Sequence, residues 1–391
     1  MIGLPHSPDS NHAAEPQMKK VRYLIVGAGF AGAATAYNLV RMGAKDVLVI
    51  DREAVAGLNS SGLNAAMVTH RGSGEAEESL ARRGAEFIRK PPDDWPGQLE
   101  FSPTGSLFLA SGDQLAGQKV IATRLQAAGL DVEIRERDWV VKQIPILEGT
   151  EFEAALWSPC DGVVDIQGLL DGYLEGARAG GAEIWLGCEL KNVEVQGGRF
   201  SAAKTDRGRI EADVLIDAAG AWSGAVASMS GAAELPLQPR RRHLFRTGTL
   251  PWTDPSWPLV WDMGAAYYFR PAAGGLLLSA CDEDVFPPSL PEANIAAMGL
   301  LKDKLRKNVP PLQWLRFQAY WACLRTSTPD DRFIIGWDPG VKGFFWVAGL
   351  GGHGATCSAA VGEMGARLIL EKEEPLGLAA ELSPGRFLNS D

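Results

Sequence analysis

Six residues, Gly27-Ala28-Gly29-Phe30-Ala31-Gly32, constrain this chain more than any others. They follow Val21–Val26, a short aliphatic and β-branched run that reads as a buried strand. Residues 30–42 then read as a helix, with Ala31, Ala33, Ala34 and Ala36 near its start and Gly43 as its stop. A second strand over 46–50 ends on Asp51. Strand, glycines, helix and strand in that order predict a Rossmann-type βαβ unit. Gly27 permits the tight turn, Gly29 lets backbone amides approach a pyrophosphate, and Gly32 lets helix and strand pack closely. The helix N-terminus favours the anion. Asp51, 24 residues beyond Gly27, is placed for ribose hydroxyls. This fingerprint alone serves NAD and FAD alike.

Composition narrows the function classes. The 391 residues carry a formal net charge of -10, which argues against nucleic acid, because phosphate binding wants a basic face. Five cysteines (Cys160, Cys188, Cys281, Cys323, Cys357) lie far apart and form no CxxC pair. That pattern suits reduced thiols in a cytosol, with neither a disulfide framework nor a metal site. Residues 1–18 hold no apolar run and read as a flexible tail, and no stretch is long and apolar enough for a membrane span. A cytoplasmic protein is expected.

The segments after residue 51 resemble those of the FAD-dependent D-amino-acid oxidase superfamily. Leu58-Asn-Ser-Ser-Gly62-Leu-Asn-Ala-Ala66 resembles its small-residue loop at the flavin pyrophosphate. Cys160–Asp165, with a helix to Ala179, resembles its mid-chain entry into a second cofactor-domain unit. Ala212–Trp222 resembles its strand ending in a small-residue turn, and Leu324–Asp330 and Phe344–Gly354 its C-terminal signature. These last segments and the Tyr267–Pro271 run look most like D-arginine-type D-amino-acid dehydrogenases, with sarcosine-oxidase-like enzymes second. The loop departs from the dehydrogenase pattern at Gly62-Leu63-Asn64 and at Met67 and Val68.

The resemblance implies an α/β chain: a Rossmann-type FAD-binding domain interleaved with a substrate domain on an antiparallel or mixed sheet. Residues 19–96, 157–234 and 327–391 would form the first, and 97–156 and 235–326 the second. The breaks Pro91–Gly97 and Pro236–Pro239 fit that layout. It also implies an amino acid or amine as substrate, oxidised to the imine by hydride transfer to flavin N5 and then hydrolysed to the oxo acid.

Expected at the cofactor are Gly27, Gly29, Phe30, Ala31, Gly32, Asp51 and Arg52 from the first unit. Ser60, Ser61, Gly62 and Leu63 come from the loop, and Leu190, Ala219, Gly220 and Trp222 from mid-chain. Cys323, Arg325, Gly349, Gly351, Gly352, His353, Gly354, Ala355 and Thr356 complete the set. The helix opening at Ala355 would aim its positive end at the flavin.

A substrate carboxylate needs a cationic fork, and Arg241, Arg242 and Arg325 are the candidates, with Tyr268 beside them. Strand alternation sends Arg240 and Arg242 to one face and Arg241 to the other. No lysine occurs in 250–301, which favours a dehydrogenase with an unassigned electron acceptor over a fast oxidase. FAD is expected to be non-covalent. Cys323, six residues before Pro329, is the site of attachment if the sarcosine-oxidase-like pattern holds. Two other readings stay open: a sarcosine-oxidase-like amine oxidase, and a 2-hydroxy-acid dehydrogenase, which would need His70, His243 or His353 as base.

Overall fold

The computed structural model describes residues 18–72 and 74–388. Apart from Met18, the expected tail lies outside the described residues. The glycine-rich unit forms as its sequence dictates. Strand Tyr23–Val26 leads through Gly27–Gly29 into helix Phe30–Arg41, which returns to strand Val47–Asp51. These strands belong to a six-stranded sheet in the order 183–186, 47–51, 23–26, 214–217, 344–348 and 334–337. All neighbours pair in parallel except the last pair.

The strands are apolar throughout because both faces are covered. Tyr23, Ile25, Val47, Val49, Phe345 and Val347 pack against a helical layer. Leu24, Val26, Leu48, Ile50, Phe344 and Trp346 pack against a small antiparallel layer built on Leu190–Gln196, Arg199–Thr205 and Gly208–Glu211. The helical layer holds Phe30–Arg41, Glu75–Arg89, Ile166–Ala179 and Gly354–Ile369.

Small residues set how closely these helices approach. A Cβ on Gly362 would lie 2.4 Å from the Ala34 carbonyl carbon, and one on Gly84 would lie 1.8 Å from the Thr356 carbonyl oxygen. The alanine and glycine content of the first helix is therefore a packing requirement. Helix Gly354–Ile369 is buried along most of its length for the same reason.

A second, mixed sheet of nine strands draws on residues 106–158 and 238–327. Its longest pairing sets Gln238–Thr247 antiparallel to Phe317–Ser327, with Arg240 opposite Arg325 and Arg242 opposite Cys323. Pro239 lies one residue inside this strand instead of in a break, where the loss of one N–H is tolerated near a strand start. The back face is apolar, with Tyr267, Phe269, Leu276 and Leu278 packed under helix Ile295–Asn308. The front face carries Leu244, Leu277 and Tyr268 and meets Ala65 of the 58–66 loop. No helix among the described residues is long and apolar enough to cross a membrane.

Overpacking at the helix crossing should be costly. Gly362→Val is expected to destabilise the protein by about 1–3 kcal/mol or more. Gly299→Ala, in an exposed helix with nothing within 4 Å, should be neutral or mildly stabilising. Urea midpoints of the two variants against the wild type check both signs.

Candidate active site

One cleft, enclosing about 270 Å³, lies at the carboxyl ends of the parallel strands and below the front face of the nine-stranded sheet. Two helix N-termini open into it: Phe30 and Ala31 line it from one helix, and Gly354 and Ala355 from the other. First-turn amides have no acceptor within a helix. Phe30 N donates to Ser61 Oγ at 3.0 Å. The amides of Ala31, Gly32, Gly354, Ala355 and Thr356 have no acceptor among the described residues. The cleft therefore presents two sets of free donors and two positive dipole ends.

The glycines shape this cradle. Gly27 adopts φ +109, and a Cβ there would sit 2.4 Å from the Ala218 carbonyl oxygen. A Cβ on Gly29 would meet Ser61 Oγ at 2.8 Å. Gly32 stands behind the cleft, where a Cβ would be 1.9 Å from the Gly27 carbonyl oxygen, so it serves helix–strand contact. Asp51 lines the cleft and accepts from Ala28 N at 2.7 Å and Glu53 N at 2.9 Å. Arg52 lays its guanidinium 3.7 Å from the Trp222 ring centre, forming one wall with Leu190, Ala219 and Gly220. Below that wall, burial pushes the Asp217 carboxyl up to about 7, against donors from Ala219 N and Ser223 Oγ at 3.0 Å. It holds the Ala218–Gly220 turn.

The 58–66 loop is fastened to both halves of the fold. Ser60 Oγ donates to the Leu324 carbonyl, Trp321 Nε1 donates to Leu63 O at 3.2 Å, and Arg270 Nε donates to Ala65 O at 2.7 Å. Asn64 closes the loop on itself, donating to Ser61 O at 2.7 Å and accepting from Ala66 N at 2.7 Å. Ser60, Ser61 and Leu63 face the cleft, whereas Gly62 packs against the Gly57 carbonyl.

The structure separates the candidate arginines. Arg325 lines the cleft beside Gly352, where a Cβ would come within 2.9 Å of Arg325 Nη1. Its Nη2 donates to Tyr268 Oη at 3.5 Å. Arg242 shares this face across from Cys323, yet its guanidinium is bound to Asp282 O at 2.7 Å and to the Glu283 carboxylate. Arg241 points away, over the Phe286 ring at 4.6 Å and toward Asp284 at 3.3 Å. Arg325 is thus the cation of the three left facing the cleft without a carboxylate. Tyr268 is distinguished from Tyr267 by register: it is on the front face, while Tyr267 is in the back core.

The histidines divide as clearly. His243 is occupied at both ring nitrogens, by Asp282 Oδ2 at 2.6 Å and Asn294 N at 2.8 Å. His70 is fully buried with Nδ1 2.5 Å from Asp161 Oδ1. Burial, with Arg325 and Arg71 nearby, pushes His353 down to about 4. His353 and Thr356 do not line the cleft, although the turn between Gly349 and Gly354 does. Thr356 Oγ1 instead donates to Met67 O at 3.2 Å. Lys304, on the helix packed against the back face, is bound to the carbonyls of Ala266 and Ala280 at 2.8 Å each. Among the described residues no His, Cys, Asp and Glu group is arranged to hold a metal.

Sequence reasoning missed Asn64, Asp217, Arg270, Leu290 and Pro291. The last two reach the cleft from a loop whose sequence gives no local sign of it. Asn64 and Asp217 were visible as small polar residues in turns, which form such bonds to nearby amides.

The donor set and the glycine cradle fit a dinucleotide with an anionic ring, and the comparisons agree. The family model "FAD dependent oxidoreductase" (DAO) matches residues 22–368. Hydrogen cyanide synthase subunit HcnC of Pseudomonas aeruginosa is 27% identical over 92% of this chain and 95% of its own. The mitochondrial pyruvate dehydrogenase phosphatase regulatory subunit of Mus musculus is 25% identical over 88% of this chain. 4-Methylaminobutanoate oxidase (formaldehyde-forming) of Paenarthrobacter nicotinovorans is 25% identical over 89%. This chain spans only 40% and 43% of the length of the latter two. L-Proline dehydrogenase from P.horikoshii superposes with a TM-score of 0.86 at 23% identity, covering 96% of this chain and all of its own. The cleft, the fold and the family match over residues 22–368 agree: the chain belongs to the DAO family of FAD dependent oxidoreductases.

Proposed function

We propose that the protein oxidises an amino acid or a related amine, anchoring its carboxylate on Arg325 and Tyr268. The division of labour proposed is that residues 19–96, 157–234 and 327–391 hold FAD and that 97–156 and 235–326 cover the substrate. The observation that carries the reading is Arg325: an uncompensated guanidinium at the rim of the glycine turn, hydrogen-bonded to a buried phenol. A substrate carboxylate completes that arrangement, because the arginine fork can bond both of its oxygens.

When bound, FAD supplies a two-electron acceptor that takes hydride from the carbon next to nitrogen, leaving an imine that water converts to the oxo acid. The free amide of Ala31, on the cleft wall, is suited to the pyrophosphate. Those of Gly354 and Ala355 are suited to negative charge on the ring. Asp51 retains acceptor capacity for ribose hydroxyls. The 58–66 loop, tied to Leu324, Trp321 and Arg270, holds Ser60, Ser61 and Leu63 on the cleft wall.

An amine that arrives neutral needs only a weak proton acceptor, and none of His70, His243 and His353 lines the cleft. A 2-hydroxy acid would need a positioned base. His243 has no free nitrogen, and His353 at about 4 is too weak a base at neutral pH. That difference favours the amine.

Losing one charged hydrogen bond in a water-poor site costs about 1.5–3 kcal/mol, roughly ten- to a hundredfold in apparent affinity. Arg325→Met should raise KM for an amino-acid substrate by that factor while FAD content stays full. Unchanged KM removes Arg325 from the carboxylate site.

Cys323 lies on the cleft wall, two residues from Arg325. Burial pushes its thiol up, while Arg325 and Arg242 pull the other way. The net rise leaves little thiolate, so flavin is expected to be held without a bond to sulfur. Acid precipitation should release all yellow colour into the supernatant and leave protein of unmodified mass. A yellow pellet that Cys323→Ala abolishes would reverse this assignment.

A further inference from the structure

Residues 283–293 join the nine-stranded sheet to helix Ile295–Asn308, and one buried side chain holds both ends of that loop. His243, on strand Gln238–Thr247, is fully buried. At the loop's entry, Nδ1 of His243 lies 2.6 Å from Asp282 Oδ2, and its backbone amide donates to Asp282 Oδ1 at 3.0 Å. At the exit, the Asn294 amide donates to His243 Nε2 at 2.8 Å. A ring nitrogen that accepts from an N–H carries no proton, so the ring is neutral and Nδ1 is the atom that donates to Asp282.

The entry has further ties. Glu283 pairs with Arg242, Asp284 pairs with Arg241 at 3.3 Å, and Phe286 N donates to Pro239 O at 3.0 Å. At the exit, Asn294 caps the helix, its Oδ1 accepting from Ala296 N at 2.9 Å. Between these points the chain spans freely. Among the described residues, the only hydrogen bond made by 287–293 is internal, from Ser289 Oγ to Pro287 O. Three of these seven residues, Pro287, Pro288 and Pro291, are prolines, which fix φ and stiffen the span. A stiff span without cross-links takes its course from its two ends.

That course leads to the cleft. Leu290 and Pro291 line it, and the other residues of the nine-stranded half that do so are 323–326. His243 pairs with Ala322, next to Cys323, so the clamp sets the span against the strand that carries Arg325. Leu58, Met229 and Leu290 are the large apolar side chains, among the described residues, that line the cleft and also stand exposed. Leu58 belongs to the loop beside the glycine cradle and Met229 to helix Ser223–Ser230, so Leu290 adds an apolar contact from the opposite half. A dinucleotide in the cleft gains by covering such surface.

We propose that residues 287–293 are a strap that retains FAD in the cleft, and that His243 is the positioning residue that sets it by clamping both ends. The proposal uses the cleft as the FAD site and does not depend on Arg325 as a substrate anchor.

Two readouts on the FAD-loaded protein test it: hydrogen exchange at the Asn294 amide, and the rate of FAD release after dilution. His243→Phe can bond neither end of the loop. Asn294 should then exchange about tenfold faster, as for the loss of one hydrogen bond, while Leu301 inside the helix keeps its protection. FAD release should speed up by about the same factor. His243→Gln, which keeps one donor and one acceptor, should restore part of both. Leu290→Ala trims the strap at an exposed position without touching the clamp, so FAD release should rise about three- to tenfold with Asn294 exchange unchanged. Release at the wild-type rate in Leu290→Ala overturns the strap. Asn294 protection that is unchanged in His243→Phe, or lost equally with that of Leu301, overturns the clamp.

Discussion

The close crossing of helices Phe30–Arg41 and Gly354–Ile369 is the contact on which the rest depends. Ala34 and Gly362 bring their backbones together, and Gly84 lets helix Glu75–Arg89 sit against Thr356. Both crossing helices start at the carboxyl ends of parallel strands that flank strand 214–217, so fixing their approach aims two N-termini at one cleft. The positive ends, the free amides and the glycine turns then follow from packing rather than from any charged side chain. The cradle can thus hold an anion within a chain whose net charge is -10.

The mixed sheet supplies what the cradle lacks. Its back face is an ordinary apolar core, whereas its front face concentrates Tyr268, Arg270, Cys323 and Arg325 beside the glycine turn. Cations on the surface of this protein are mostly paired with acids, as at Arg83–Glu363 and Arg209–Glu194. Beside Tyr268, Arg325 is bound to a phenol and Arg270 to carbonyls, whereas Arg242 is held by Glu283. That contrast, rather than the count of arginines, points to an acidic ligand.

The fold was legible where backbone geometry restricts residue choice. Gly27, Gly29 and Gly32 announce the turn because no Cβ fits there, and the alternation of Leu24/Ile25 and Leu48/Val49 follows from burial on both faces. The apolar patterns of the sequence predict a strand over 276–280 and a helix over 293–307, which form at Gly275–Ser279 and Ile295–Asn308. The arginines show the limit. Alternation correctly puts Arg240 and Arg242 on one face and Arg241 on the other. No local signal told that Glu283 would neutralise Arg242, or that Arg325, 83 residues from Arg242, would stay free.

The central claim is that this cleft presents an amine-bearing acid to a flavin. Anaerobic titration of the oxidised, FAD-loaded protein, followed by flavin absorbance, tests it most directly. Addition of D- and L-amino acids and of N-methyl amino acids, beside the matching 2-hydroxy acids, separates the substrate classes in one experiment. The account predicts that at least one amine bleaches the flavin and that the hydroxy acids leave it oxidised. Bleaching by a hydroxy acid with every amine inert would contradict it.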